Sequence, residues 1–309
     1  MKFDENNIHQ YGNLDLLSNQ IVEGFITGLH KSPYHGFSVE FSEHKSYTPG
    51  DSIKNIDWKV YARTDKLFLK KYEEETNLRC RVIIDNSSSM FFPFNNKISI
   101  NNPNKILFSV YASASLMNLL RRQKDAVGLT VFSDKIECHT SESTTLNHYK
   151  NLLFELNKII ENIDADNYKS SSIAESINNI AVRNHKRSLI IIFSDMFDSL
   201  DDNETLFDSL RHLKYNKHEI ILFHVIDKNK ELDLDFENKP YKFIDLETKD
   251  EVQLFPSEIK KEYYDKMSDY YNNLKLKCHQ FGIEFVLCDI KNGYKDVLLK
   301  YLLKRKKLF

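Results

Sequence analysis

From Cys80 onward, short apolar runs alternate with stretches whose apolar residues recur at three- and four-residue steps. This is the rhythm of a mainly parallel sheet covered by helices on both faces, an α/β fold of the doubly wound kind. Strands are expected at 81–84, 126–132, 136–140, 188–193, 219–226 and 283–287. Helices are expected at 105–122, 146–162, 173–183, 204–215 and 294–304. In the first of these helices Ile106, Val110, Ala114, Met117 and Leu120 share one face. A longer helix carries Ile259, Tyr263, Met267, Tyr270, Leu274 and Phe281. Between 231 and 256 the rhythm breaks into two short alternating segments, 241–246 and 251–255, which read as a small β-hairpin insertion.

The first 79 residues read as a preface to that domain, which occupies 80–309. Leu14, Leu17, Ile21, Phe25 and Leu29 mark an amphipathic cover helix that ends before Ser32-Pro33. An extended run at 36–41, a tight turn at Thr48-Pro49-Gly50-Asp51 and a strand at 66–72 follow. A total of 309 residues suffices for one large domain with this appended unit. The 43 basic and 45 acidic side chains nearly cancel, so no global field recruits nucleic acid or an anionic membrane. The longest apolar runs fall far short of the roughly 20 residues that cross a bilayer, and residues 1–10 are polar. A cytoplasmic protein without membrane insertion is therefore expected. Cys80, Cys138, Cys278 and Cys288 are scattered and read as small buried hydrophobes of a reducing compartment.

In an open parallel sheet, ligands bind where loops leave the carboxyl ends of the strands. Two polar clusters fall there: Asp85-Asn86-Ser87-Ser88-Ser89-Met90, and Ser194-Asp195-Met196. A third, Ser170-Ser171-Ser172, immediately precedes a helix. Carboxylate and hydroxyl oxygens are hard ligands suited to Mg²⁺ or Mn²⁺. Alternate residues of a tight turn point the same way, so Ser87 and Ser89 can reach one ion while Asp85 anchors its waters. Taken singly, Asp85 and Ser171 also read as ordinary turn or helix caps.

The loops resemble the metal-ion-dependent adhesion site of von Willebrand factor A domains, in which a D-x-S-x-S run, a Thr and a later Asp hold Mg²⁺ and a partner's carboxylate completes the sphere. Asp85, Ser87, Ser89 and Asp195 match that pattern directly, and Ser171 stands where Thr is usual. The preface carries His35-Gly36-Phe37-Ser38-Val39-Glu40-Phe41, Tyr47-Thr48-Pro49-Gly50-Asp51, Ile56-Asp57-Trp58-Lys59 and Ala62-Arg63-Thr64. These resemble the bacterial DUF58 family, whose signature leads through a Lys and a Glu, here Lys70 and Glu75, into the adhesion-site strand. The resemblance implies a von Willebrand A or Rossmann-like fold and a MoxR-type AAA+ ATPase as partner. Tyr47, Asp51, Asp57, Trp58 and Arg63 form a candidate partner surface. The same residues also read as packing that docks the preface, with Trp58 as anchor and Asp57–Arg63 as an internal ion pair.

Three functions follow as expectations. The first is a metal-dependent protein-interaction module that captures an acidic residue of a partner and is not an enzyme. The second is a metal-dependent phosphohydrolase built on Asp85. That chemistry usually wants a second acid two positions on, where this chain has Ser87, and no Gly-rich phosphate cradle follows. The third is a metal-free scaffold whose serines merely cap.

Overall fold

The strands that were expected to be buried on both sides are continuous in apolar residues, and they form the middle of the sheet. The computed structural model describes residues 13–30, 44–46, 58–70, 78–94, 99–161, 173–183, 187–196, 203–244 and 251–308. In chain order the elements are α1 (Asn13–His30), β1 (His44–Ser46), α2 (Trp58–Thr64), β2 (Phe68–Lys70), β3 (Arg79–Asp85), α3 (Lys105–Arg122), β4 (Ala126–Phe132), β5 (Ile136–His139) and α4 (Leu146–Glu161). There follow α5 (Ile173–Arg183), β6 (Leu189–Ser194), α6 (Asn203–Tyr215), β7 (Glu219–Ile226), β8 (Tyr241–Ile244), β9 (Glu251–Leu254), α7 (Pro256–Gln280), β10 (Glu284–Asp289) and α8 (Lys295–Leu308).

The chain divides into two compact units, Met1–Phe25 with Leu78–Phe309, and Ile26–Asn77. The expected cover helix is therefore split: α1 up to Phe25 clusters with the larger unit. The smaller unit contains the antiparallel pair of β1 and β2, with His44 opposite Lys70, and the short helix α2. The β2 strand was expected; the α2 helix and β1 were not. The extended run at 36–41 and the turn at 48–51 lie outside the described residues.

The larger unit is a mixed α/β structure whose six-stranded sheet runs in the order β10-β7-β6-β3-β4-β5. All neighbours pair in parallel except β4 with β5. The chain starts at β3 in the middle, moves outward through β4 and β5, returns to β6 on the other side of β3, and moves outward again. The loops leaving β3 and β6 therefore diverge, and a crevice opens between them. Every residue of β6 is buried, as is all of β7 beyond Glu219. Successive side chains point to opposite faces. On one face Ile83, Ile192 and Leu222, adjacent in register, pack with Ile173 and Ile177 of α5, Leu210 of α6 and Leu274 of α7. On the other, Phe193 stacks on Phe223 with ring centres 5.0 Å apart. The β8–β9 hairpin pairs Tyr241 with Leu254, as the insertion pattern suggested.

α3 is buried along its length from Lys105 to Leu120. Its serines are accommodated because Ser109 and Ser115 donate to the carbonyls of Lys105 and Tyr111, each at 2.8 Å. Asn118 staples α3 to α1: its amide donates to Asn19 Oδ1 at 2.8 Å and to Ser18 Oγ at 3.2 Å, and its Oδ1 accepts from Arg122 Nε at 2.8 Å. Cys80, Cys278 and Cys288 are buried free thiols, as expected, whereas Cys138 is half-buried. No helix among the described residues is long and apolar enough to cross a membrane.

Candidate metal centre

At the carboxyl end of β3 the chain leaves the sheet at Asp85, which is fully buried. Its Oδ1 accepts the Ser87 backbone N–H at 3.0 Å and its Oδ2 accepts the Ser194 hydroxyl at 2.7 Å. The first bond closes a tight turn; the second ties β3 to β6 across the crevice. Ser87 is extended and caps a 3-10 turn over Ser88–Phe91, in which Met90 is fully buried beneath the loop. The turn brings Ser87 Oγ and Ser89 Oγ to 3.1 Å. Two ligands at right angles on an octahedral Mg²⁺, each about 2.1 Å from the ion, stand about 3 Å apart. The hydroxyl pair therefore has the spacing of two adjacent positions on such an ion, and the donor set fits a small hard cation.

The loop is bolted to α3. Asn104 caps that helix by accepting the Leu107 N–H at 2.9 Å, and its amide donates to the Phe91 carbonyl at 3.2 Å. This fixes Lys105, the first helical residue, under the site with 1% of its side chain exposed. A cation at a helix N-terminus opposes the helix dipole. It is held there because Nζ lies 2.8 Å from Asp195 Oδ2 and 2.5 Å from Glu231 Oε1. Asp195 is delivered by the end of β6, in a turn where Met196 adopts φ 51°. Such a left-handed residue costs on the order of 1 kcal/mol. It is secured by Ser194 Oγ, which accepts the Met196 N–H at 2.8 Å, and by the Tyr270 hydroxyl, which donates to the Met196 carbonyl at 2.5 Å.

These placements set the charges. Burial, reinforced by Asp195, pushes the Asp85 carboxyl up to about 7 against the bonds from Ser194 and Ser87. Asp195 is also penalised by burial, yet the ammonium of Lys105 outweighs this and holds its carboxyl below the usual range. Burial pulls Lys105 down, but Asp195 and Glu231 together raise it above its ordinary value. Glu231 is raised, burial prevailing over Lys105.

The structure brings together four of the five expected ligands, Asp85, Ser87, Ser89 and Asp195. Ser171 lies outside the described residues. No group of three or more His, Cys, Asp or Glu poised for a metal occurs among the described residues.

The family model described as a protein of unknown function, DUF58, matches residues 43–269. The chain belongs to the DUF58 family. Uncharacterised proteins of Mycobacterium bovis and Mycobacterium tuberculosis are 30% identical to it over 79 residues, a match covering 26% of this chain and 25% of theirs. The chain thus matches only a quarter of the length of these curated relatives. Among solved structures, BatB from Bacteroides thetaiotaomicron overlaps 74% of this chain and 99% of its own at 13% identity, with a TM-score of 0.44. An aerotolerance-related membrane protein from Bacteroides fragilis overlaps 72% of this chain and 97% of its own at 11% identity, also with a TM-score of 0.44.

Of the DUF58 signature residues, Trp58 opens α2, Arg63 is exposed in its last turn, and Lys70 ends β2. Tyr47, Asp51, Asp57 and Glu75 lie outside the described residues. Sequence reasoning missed Lys105, Glu231 and the bridging role of Ser194. No local signal marked Lys105: a lysine directly after an Asn cap is only mildly disfavoured by the helix dipole, and water can screen it.

His224 stands on β7 beside this cluster, fully buried, with neither ring nitrogen hydrogen-bonded among the described residues. Burial keeps it neutral, pushing its pKa down to about 3. A histidine whose folded value lies below the unfolded value, about 6.5, contributes fully above pH 6.5. Its contribution is lost as the pH falls from there toward 3. His224→Phe, which keeps an aromatic ring against Tyr271, is expected to flatten the acid slope of stability over this window by up to about 1.4 kcal/mol per pH unit. Urea midpoints of both proteins from pH 7 to pH 4.5 measure it; parallel curves would contradict a buried neutral ring.

Proposed function

We propose that this DUF58 protein is a divalent-cation-dependent protein-binding module of the von Willebrand A kind and not an enzyme. Mg²⁺ or Mn²⁺ is held by Asp85, Ser87 and Ser89, with Asp195 and Ser171 completing the protein's share. An acidic side chain of a partner takes the remaining position. Bound there, the ion supplies a positive charge with an open site for a carboxylate.

The observation that carries this reading is Asp85: a fully buried carboxylate to which no ammonium or guanidinium is paired among the described residues, beside two hydroxyls at ligand spacing. A buried carboxylate without a counter-charge is costly, and a divalent ion relieves it. The position of Ser87, where hydrolytic chemistry wants a second acid, favours gripping over cutting. A MoxR-type AAA+ ATPase in the cytoplasm is the proposed partner, on the strength of the family resemblance, with the α2 segment around Trp58 and Arg63 as a second contact surface.

A metal-free scaffold is the competing reading, and Lys105 favours it, because an ammonium already neutralises Asp195. Thermal unfolding with and without Mg²⁺ or Mn²⁺ separates the two. An ion at 100 times its Kd should add about 2.7 kcal/mol to the wild type and nothing to Asp85→Ala. Stability indifferent to both ions would favour the scaffold. A pull-down with the ATPase, with and without ATP, should lose the partner in Asp195→Ala at fixed Mg²⁺.

A further inference from the structure

We propose that Lys105 is a tethered internal cation that competes with the divalent ion for Asp195 and sets the affinity of the site, with Glu231 as the place to which its ammonium retreats. The inference rests on the metal-site reading and deepens it.

The geometry carries it. Lys105 Nζ bridges Asp195 Oδ2 at 2.8 Å and Glu231 Oε1 at 2.5 Å, with the Phe92 ring 5.9 Å away. The two carboxylates come from different loops, one after β6 and one after β7. An ammonium has three donors on a flexible stem, so it can keep one partner while giving up the other. Glu231 is built to receive it: Oε2 accepts the Asp227 N–H at 2.7 Å, and the Glu231 carbonyl accepts from the Tyr263 hydroxyl at 2.7 Å. The carboxylate that would hold the ammonium is therefore fixed whether or not Asp195 turns toward an ion. The charges agree. Fully ionised, Asp85, Asp195 and Glu231 would set three negative charges against the one ammonium of Lys105, a deficit that a divalent ion closes. Without Lys105 the same site would hold three carboxylates and bind divalent ions indiscriminately tightly. With Lys105 the site can fill and empty, as a switchable latch must.

Mn²⁺ binding, followed through the EPR signal of the free ion, tests this in four proteins: wild type, Lys105→Met, Glu231→Gln and the double variant. Lys105→Met should bind Mn²⁺ tighter by on the order of tenfold or more. Glu231→Gln, which confines the ammonium to Asp195, should bind roughly threefold or more weaker. The effect of Glu231→Gln should be clearly larger with Lys105 present than in its absence, where only the plain field effect of one lost charge remains; an equal effect in both backgrounds would overturn the retreat role. Should the methionine variant fail to fold, Lys105→Gln, which keeps a polar end between the carboxylates, takes its place in all arms. Equal affinity in wild type and the Lys105 variant overturns the competition and leaves the metal site standing. No binding in any of the four overturns both.

Discussion

Lys105→Met is expected to destabilise the metal-free protein by about 3–5 kcal/mol, the cost of removing one partner from a buried ion pair. The side chain is 1% exposed and Asp195 2%, so water cannot take over the carboxylate that is left behind. Chemical denaturation in the presence of a chelator measures the effect. A loss below about 1 kcal/mol, the range of solvated pairs, would mean that the ammonium is not buried between its carboxylates. Added Mn²⁺ should recover much of the loss, because the ion supplies the missing positive charge.

Arg81→Leu is expected to cost a similar amount, about 3–5 kcal/mol, with no recovery by metal. Arg81 leaves β3 on the side of β4 and is 2% exposed. Its Nη1 donates to Thr130 Oγ1 and the Thr140 carbonyl, each at 3.0 Å, and its Nη2 pairs with Glu142. Gly128, directly opposite in register, makes room: a Cβ there would lie 3.2 Å from the Thr140 carbonyl and 3.4 Å from Arg81 Nη2. The guanidinium therefore pins the antiparallel edge strand to the parallel part of the sheet. The two variants form a pair in urea titrations with and without Mn²⁺. Both lose stability, and only the Lys105 variant should respond more strongly to the ion. Equal responses would separate Lys105 from the site.

Much of the larger unit was legible because buried parallel strands leave a strong signature. Leu189–Ser194 and Glu219–Ile226 are nearly unbroken apolar runs, and their positions followed from that alone. The helices α3 and α5 began and ended where periodicity placed them. α7 was legible only in part. Met267 and Leu274 of its expected seam are buried, but Tyr271 and Cys278 join them, while the hydroxyls of Tyr263 and Tyr270 serve the site loops. A tyrosine on an apolar stripe does not reveal whether its ring or its hydroxyl matters. The α2 helix was hidden because its seven residues are too few to show a period.

The site was half legible. Asp85, Ser87 and Ser89 lie within one turn, and local spacing brought them together. The pairing of Ser194 with Asp85 spans 109 residues, and that of Lys105 with Glu231 spans 126. Such contacts depend on which strands become neighbours, and no local pattern encodes that. The consequence is chemical as well as structural. Four oxygen-bearing residues read alone suggest a cation site, whereas the structure adds an ammonium, that of Lys105, already paired with one of them.

The most direct measurement is Mn²⁺ binding by EPR to wild type and to the Ser87→Ala, Ser89→Ala double variant at neutral pH. The expected result is that wild type depletes the free-ion signal with one saturable site and that the double variant, folded to the same urea midpoint within about 1 kcal/mol, does not. Equal depletion by both proteins, or none by either, would contradict a metal centre built on the Asp85–Ser89 loop.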